Sequence, residues 1–256
     1  MKKTKKTSKR GELTTAQIVT LVVLIVSFII LIFFLFKLNP AETTAKEACH
    51  NSVILSEKGK GLVGGLDCST SYVCISGGSE CTNFVSTSTR EIDISDEKLA
   101  RNQTLKALAD EIADCWWMFG EGKINYGVAE GTSIKYALCS SIEFDEDVQK
   151  NIPEISYSEL YEYMKTHTIS SDNSQSYLRY IYGVNNPEAI EIQQQFTINI
   201  AQDKIFTGQR YSVITGIDDN IGVGDTVFPD EFLKVYIIPA SETSSRLTDG
   251  EFITKS

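Results

Sequence analysis

Hydrophobic positions divide the chain into one long apolar run and a longer part in which apolar and polar residues alternate or recur. The run, residues 18–36, holds nineteen residues and no charge. At 1.5 Å per residue, a helix of that length covers about 28 Å, close to the roughly 30 Å of a bilayer's hydrocarbon core. The pattern therefore predicts a transmembrane helix over 18–36, with the lipid bilayer as its partner.

Three helices are predicted beyond the run. The first begins at Ser95 as its N-cap and ends at Gly120. Its apolar residues recur at steps of three and four, which forms one stripe: Leu105, Leu108, Ile112, Cys115 and Trp116. The capping box Ser156-x-x-Glu159 begins a second helix that extends to about residue 166. A third, rich in tyrosine, covers 174–182.

Alternating apolar and polar residues predict strands over 90–94, 136–144, 196–200, 210–217 and 232–239. Strands and helices follow one another without regular βαβ alternation. We therefore expect an α+β fold: an N-terminal transmembrane helix, then a domain with a largely antiparallel sheet and a few amphipathic helices. Residues 37–48 are predicted as a linker, 49–240 as the folded domain and 241–256 as a flexible tail.

Charge is distributed unevenly about the apolar run. Up to Lys37 the chain carries 7 basic residues and 1 acid, which leaves 17 basic and 33 acidic residues beyond it, a net charge of −16. Basic residues on one flank predict a cytoplasmic segment over 1–17, a single membrane pass and a bulk that lies outside the cell. The acidic bulk argues against nucleic acid as a partner.

Six cysteines follow the apolar run, and an even number outside the cell predicts disulfides. They are Cys49, Cys68, Cys74, Cys81, Cys115 and Cys139. Fifteen pairings are possible. A local Cys74–Cys81 bridge across a Gly-rich turn and a Cys115–Cys139 bridge between helix and strand are plausible, which would leave Cys49 with Cys68. The spacings lack the tight ligand pairs that structural zinc sites use.

Two resemblances bear on what kind of protein this is. The segment Arg10-Gly11-Glu12-Leu13 before an apolar helix resembles the processing site of archaeal pilin-like (class III) signal segments, which implies cleavage between Gly11 and Glu12. Ala16, however, stands where that pattern has an acid.

Three further segments resemble uncharacterised archaeal single-pass membrane proteins with a cysteine-containing ectodomain. They are Cys49-His50-Asn51-Ser52-Val53, Tyr72-Val73-Cys74-Ile75-Ser76-Gly77-Gly78, and Ala113-Asp114-Cys115-Trp116-Trp117-Met118-Phe119-Gly120-Glu121-Gly122-Lys123. This second resemblance implies a membrane-anchored ectodomain and no known activity.

The candidate site residues are few, and none forms a catalytic or cofactor motif. Trp117 lies in a second row beside the apolar stripe of its helix, and Tyr163 lies on the side of its helix opposite the stripe. Both are therefore candidates for partner binding. Asn102 begins a glycosylation sequon. Four oxygen-bearing residues form a weak calcium candidate: Asp218, Asp219, Asn220 and Asp225. The Gly59–Gly64 match to a dinucleotide motif is not followed by a helical pattern, so no cofactor is expected.

Two hypotheses about function follow from this placement, with a third kept open. The first is a cell-surface protein whose acidic ectodomain binds another envelope protein, an extracellular partner or a second copy of itself. The second is a pilin-like structural subunit processed after Gly11. An extracellular enzyme is the third, and nothing in the sequence assigns it catalytic residues.

Overall fold

The computed structural model describes residues 15–37, 40–59, 66–124, 126, 134–169, 175–189, 204–217, 232–246 and 250–254. The chain divides into two compact units, Met1–Thr43 and Thr44–Ser256. In the first unit, helix α1 covers Thr15–Lys37. Helix α2, Pro40–Gly59, begins at the end of the first unit and continues in the second.

The prediction of a transmembrane helix over 18–36 is corrected by the structure. A membrane span needs about 20 consecutive apolar residues. Across the parts of the chain that the structure describes, no helix has the length and apolar character to cross a bilayer.

The second unit mixes strands and short helices. After α2 come β1 (Ser71–Ser76), β2 (Ser88–Glu91), α3 (Glu97–Met118), β3 (Ile134–Phe144), α4 (Glu146–Asn151), β4 (Glu154–Ser156), α5 (Tyr157–Thr166), α6 (Tyr177–Tyr182), β5 (Lys204–Phe206), β6 (Tyr211–Ile217), β7 (Phe232–Pro239), α7 (Ala240–Arg246) and β8 (Gly250–Phe252). The α+β class is therefore confirmed for this unit.

The main sheet is mixed, so the prediction of a largely antiparallel sheet is wrong. Its strand order is β2-β1-β3-β6-β7, and β8 pairs with β3. Strand β1 runs parallel to both β2 and β3, whereas β3, β6 and β7 are antiparallel. The physical reason is the connection from β2 to β3, since α3 returns the chain to the end of the sheet at which β1 and β2 begin.

Helix α3 packs on one face of this sheet. Asp96, rather than the predicted Ser95, is its N-cap, and its carboxylate accepts the N–H of Leu99. Leu108 and Ile112 on α3 are fully buried, and Cys115 is bonded to Cys139 of β3. The predicted apolar stripe is thus the face that meets the sheet.

Tyrosine hydroxyls donate to carbonyls of β7, the last strand of the sheet among the described residues. Tyr182 of α6 donates to the carbonyl of Val235 at 2.7 Å, and Tyr157 of α5 donates to that of Ile237 at 3.0 Å. An edge strand presents unpaired carbonyls that would otherwise template pairing with another chain. The tyrosine-rich segment therefore closes this side of the sheet.

Within the stretch 241–256, which is predicted as a flexible tail, residues 241–246 and 250–254 contribute to the fold. Helix α7 contacts β6 through a hydrogen bond from Thr243 to Ser212 at 3.1 Å. Strand β8 pairs in parallel with the first residues of β3. Phe252 and Tyr136 lie with ring centroids 6.1 Å apart. The sequence did not predict these pairings because the stretch is mostly polar and a three-residue strand carries almost no periodic pattern.

Candidate functional site

A cleft opens where the turn 77–86 leaves β1 and returns as β2. Its volume is about 740 Å³, within the range of ligand sites in proteins. Two carboxylates, Glu80 and Glu91, line it, and among the described residues that form its wall none is basic. Phe84 and Val85 add an apolar wall, and Val85 is 91% exposed. We call this the β1–β2 cleft.

The turn that forms the β1–β2 cleft is held in place from behind by Asp145. This carboxylate is 1% exposed. Its Oδ2 accepts from Ser76 Oγ at 2.8 Å and from the N–H groups of Gly77 and Ser79 at 2.8 and 2.9 Å. Its Oδ1 accepts from the N–H of Val148 at 2.8 Å, which also begins α4. One buried carboxylate therefore fixes both the turn and the next helix.

Close packing and a disulfide add to this rigidity. A Cβ on Gly77 would lie 2.8 Å from Ile94 Cγ2 and 2.9 Å from Asp147 Cβ, so only glycine fits there without a shift. Cys74 of β1 and Cys81 of the turn form a disulfide. The cleft is therefore preorganised, which reduces the entropy that a ligand must offset.

A second buried carboxylate, Glu143 of β3, lies behind the disulfide. It is 4% exposed and is the register partner of Cys74. Its Oε1 accepts from Asn83 Nδ2 at 2.5 Å. Within the described residues, its Oε2 is buried and has no hydrogen-bond partner. A buried acceptor without a donor costs stability, so this oxygen is unusual in the fold.

A second group of charged side chains, separate from the β1–β2 cleft, joins α2 and α3 through ion pairs. Glu111 of α3 is 2% exposed and accepts from Arg90 Nη2 at 2.7 Å. Lys46 of α2 lies 3.9 Å from Glu111 and 2.6 Å from Asp114. Burial raises the pKa of Glu111, and the charges of Lys46 and Arg90 counteract that rise. These groups connect two helices and β2.

Two tyrosines donate hydrogen bonds to carboxylates on α3 and just after its end. Tyr177 donates to Asp110 at 2.5 Å and Tyr180 donates to Glu121 at 2.6 Å. Burial raises the pKa of both hydroxyls, and the neighbouring carboxylates raise it further. Both tyrosines therefore stay protonated and act as hydrogen-bond donors.

Trp117 and Tyr163, the residues predicted for partner binding, pack against histidine rings of the same domain. Trp117 is half-buried and stacks on His50 of α2, with ring centroids 4.1 Å apart. Tyr163, expected on the exposed side of its helix, is 7% exposed and stacks on His167 at 3.9 Å. Neither lines the β1–β2 cleft.

The remaining candidates are distributed as follows. Asn102 is exposed on α3, beside a cleft of about 470 Å³ that Glu159 also lines. The calcium candidates Asp218, Asp219, Asn220 and Asp225 lie outside the described residues, as do Gly11 and Glu12. The six cysteines form the three bridges that the sequence made plausible, Cys49–Cys68, Cys74–Cys81 and Cys115–Cys139.

Sequence reasoning missed Glu80, Glu91, Glu143 and Asp145. In an acidic chain, no single carboxylate is conspicuous. The sequence feature that could have located the cleft is the Gly-rich turn between Cys74 and Cys81. A disulfide between these two residues closes a short loop, so the side chains of that loop must lie near β1.

No known protein family, no curated protein and no solved structure matches this chain. The candidate site therefore rests on its own geometry and chemistry.

Proposed function

We propose that this protein is an extracytoplasmic binding protein and that the β1–β2 cleft receives a lysine or arginine side chain of a polypeptide partner. The observation that carries the proposal is the cleft itself: a rigid wall with two carboxylates and no basic residue among the described residues that line it. Charge complementarity of this kind favours specificity and rapid association.

The chemistry of a long basic side chain fits the remaining walls. Phe84 and Val85 offer apolar surface for its methylene stem, while Glu80 and Glu91 offer carboxylates to its charged head. Serine and threonine hydroxyls along the cleft supply further hydrogen-bond acceptors. The net charge of −10 for the whole chain would attract cationic partners at long range.

The proposed location outside the cytoplasm is supported by the disulfides. All six cysteines are paired, and structural disulfides persist mainly in oxidising compartments. Three bridges in a domain of this size also suit a protein that meets proteases and unfolding stress outside the cell.

Replacing both cleft glutamates is expected to weaken binding of a lysine probe. The probe is a capped heptapeptide with one central lysine, and its norleucine counterpart is the uncharged reference. The double variant Glu80→Gln, Glu91→Gln should bind the lysine peptide about fivefold more weakly at low salt, since exposed ion pairs contribute up to about 1 kcal/mol each. Calorimetric titration measures the change.

A matched variant distinguishes the contribution of the cleft carboxylates to binding from that of the protein's overall negative charge. Glu47→Gln with Glu97→Gln also removes two exposed carboxylates, both outside the cleft. This variant should bind the lysine peptide as the original protein does. Equal weakening in the two variants, or equal binding of the lysine and norleucine peptides, would contradict the proposed function.

A further inference from the structure

The three disulfides differ in how far they are open to a reagent. Five of the six half-cystines are at most 3% exposed, and they include both members of Cys49–Cys68 and of Cys115–Cys139. Cys81 is the exception in its exposure: it is half-buried, and both it and Cys74 line the β1–β2 cleft. Its partner Cys74 is 2% exposed. The Cys74–Cys81 bridge therefore has one accessible and one buried end.

Cys74, the buried end of the bridge, lies beside Glu143, whose carboxylate has one oxygen without a hydrogen-bond donor among the described residues. Cys74 and Glu143 are register partners on parallel strands, so their side chains leave the sheet on the same face. The accessible end is also close, since Cys81 Sγ lies 3.6 Å from the carbonyl oxygen of Glu143. Within the described residues, Glu143 Oε2 is buried without a donor.

Reduction of the bridge would supply that donor. A disulfide sulfur carries no hydrogen, whereas the thiol of reduced Cys74 has one to donate. A buried carboxylate oxygen that lacks a donor in the oxidised state gains one in the reduced state. The arrangement thus favours proton transfer from the Cys74 thiol to Glu143 when the bridge re-forms.

We propose that Cys74–Cys81 is a thiol–disulfide exchange site, at which Cys81 accepts a thiol-bearing substrate and Glu143 takes up the proton of Cys74 when the bridge re-forms. The substrate class is a polypeptide or a small molecule with a free thiol that can enter the β1–β2 cleft.

The exchange balances with the substrate thiols as the only reductant. A substrate thiol loses its proton to water, and its thiolate attacks Cys81 Sγ. A substrate–Cys81 bond forms, the bond to Cys74 breaks, and Cys74 leaves with the electron pair and takes a proton from water. A second substrate thiolate then attacks the substrate sulfur and releases the Cys81 thiolate. Two substrate thiols are oxidised to one disulfide, and the protein disulfide is reduced to two thiols.

The mixed disulfide can also revert. The Cys74 thiol gives its proton to Glu143 as its sulfur attacks Cys81 Sγ, and the substrate leaves as a thiolate. This return step is where Glu143 acts, because a thiol must lose its proton to become a nucleophile.

This inference uses the same cleft as the proposed function but does not depend on cationic ligands. A small thiol without a net positive charge, such as glutathione, is therefore the appropriate probe, and the lysine-peptide titration remains an independent test. Either proposal can fail while the other stands.

The test begins with the native protein and glutathione, followed by an acid quench, alkylation and peptide mass analysis. Cys74 and Cys81 should be labelled at least about tenfold faster than the other four cysteines, with the glutathione adduct on Cys81. Uniform labelling of all six, labelling that follows global unfolding in urea, or an adduct on Cys74 would overturn the proposal.

Serine variants provide a second measurement that does not rely on the bridge. Cys74→Ser leaves Cys81 as a free thiol that should react readily with glutathione disulfide, and Cys81→Ser leaves the buried Cys74, which should react at least about tenfold more slowly. Circular dichroism of both variants checks that they are folded. Equal reactivity of the two folded variants would contradict the assignment of Cys81 as the entry point.

Glu143→Gln tests the proton step. The variant should slow release of glutathione from Cys81 at neutral pH by at least about tenfold, within the range of general base catalysis. The deficit should shrink as pH rises and Cys74 ionises unaided, a dependence that a purely structural role would not produce. Unchanged release, or a deficit independent of pH, would exclude Glu143 as the proton acceptor.

Discussion

Asp145→Asn is expected to lower the free energy of unfolding by about 3 kcal/mol, the largest effect of a single isosteric change that the structure indicates. Asp145 accepts four hydrogen bonds, from Ser76, Gly77, Ser79 and Val148, and it is almost fully buried. An asparagine replaces one acceptor oxygen by an NH₂ group that meets N–H donors. Urea unfolding measures the loss, and amide exchange at Gly77 and Ser79 should accelerate.

The neighbouring Asp147 provides the control. It is half-buried and accepts from Ser79 Oγ at 2.6 Å. Asp147→Asn should therefore cost less than about 1 kcal/mol. Similar losses for the two variants would show that Asp145 does not hold the turn in the way described.

Arg90→Met is expected to destabilise the protein by about 3 kcal/mol at neutral pH. The variant leaves the Glu111 carboxylate buried without the guanidinium that donates to it, and removing one partner of a buried pair typically costs 3–5 kcal/mol. We expect the low end of that range because the Arg90 side chain is 32% exposed and Lys46 stays 3.9 Å from Glu111.

The pH dependence of this loss follows from the pKa of Glu111. Burial raises that pKa above its ordinary value of 4.5, and removal of Arg90 raises it further. An acid whose pKa is raised on folding stabilises the fold when protonated, and this stabilisation is lost as pH rises through the folded-state pKa. The destabilisation should therefore be larger at about pH 7 than at about pH 4.5.

The half-exposed pair Arg101–Glu159 offers a matched control for this experiment. Its side chains are 34% and 31% exposed, and exposed pairs contribute little. Arg101→Met should cost less than about 1 kcal/mol. If the loss in Arg90→Met were the same at both pH values, or no larger than in Arg101→Met, the description of Glu111 as a buried charge would be wrong.

Local features of the fold were predictable because their causes are local. The apolar stripe on α3, the N-cap Ser156 of α5 and the terminating Gly183 of α6 all act within one or two turns of helix. The Cys74–Cys81 bridge closes over only seven residues of sequence separation, so its turn was visible in the chain.

Long-range features were not predictable in the same way. The parallel pairing of β1 with β3 depends on how α3 crosses the sheet, and periodicity within a strand says nothing about the direction of its neighbour. Tyr163 lies off the main stripe of α5, yet it is buried because His167 and Tyr177 cover it. The β1–β2 cleft combines a turn, an edge strand and a carboxylate that lies 68 residues from Gly77.

The most direct test of the proposed binding function is a nuclear magnetic resonance titration with the lysine heptapeptide. The cleft predicts chemical-shift changes confined to residues 74–92, with the norleucine peptide causing little change there. Changes centred on other acidic surfaces, such as the exposed end of α3 near Glu97, or none at any accessible peptide concentration, would contradict the assignment of the β1–β2 cleft as the binding site.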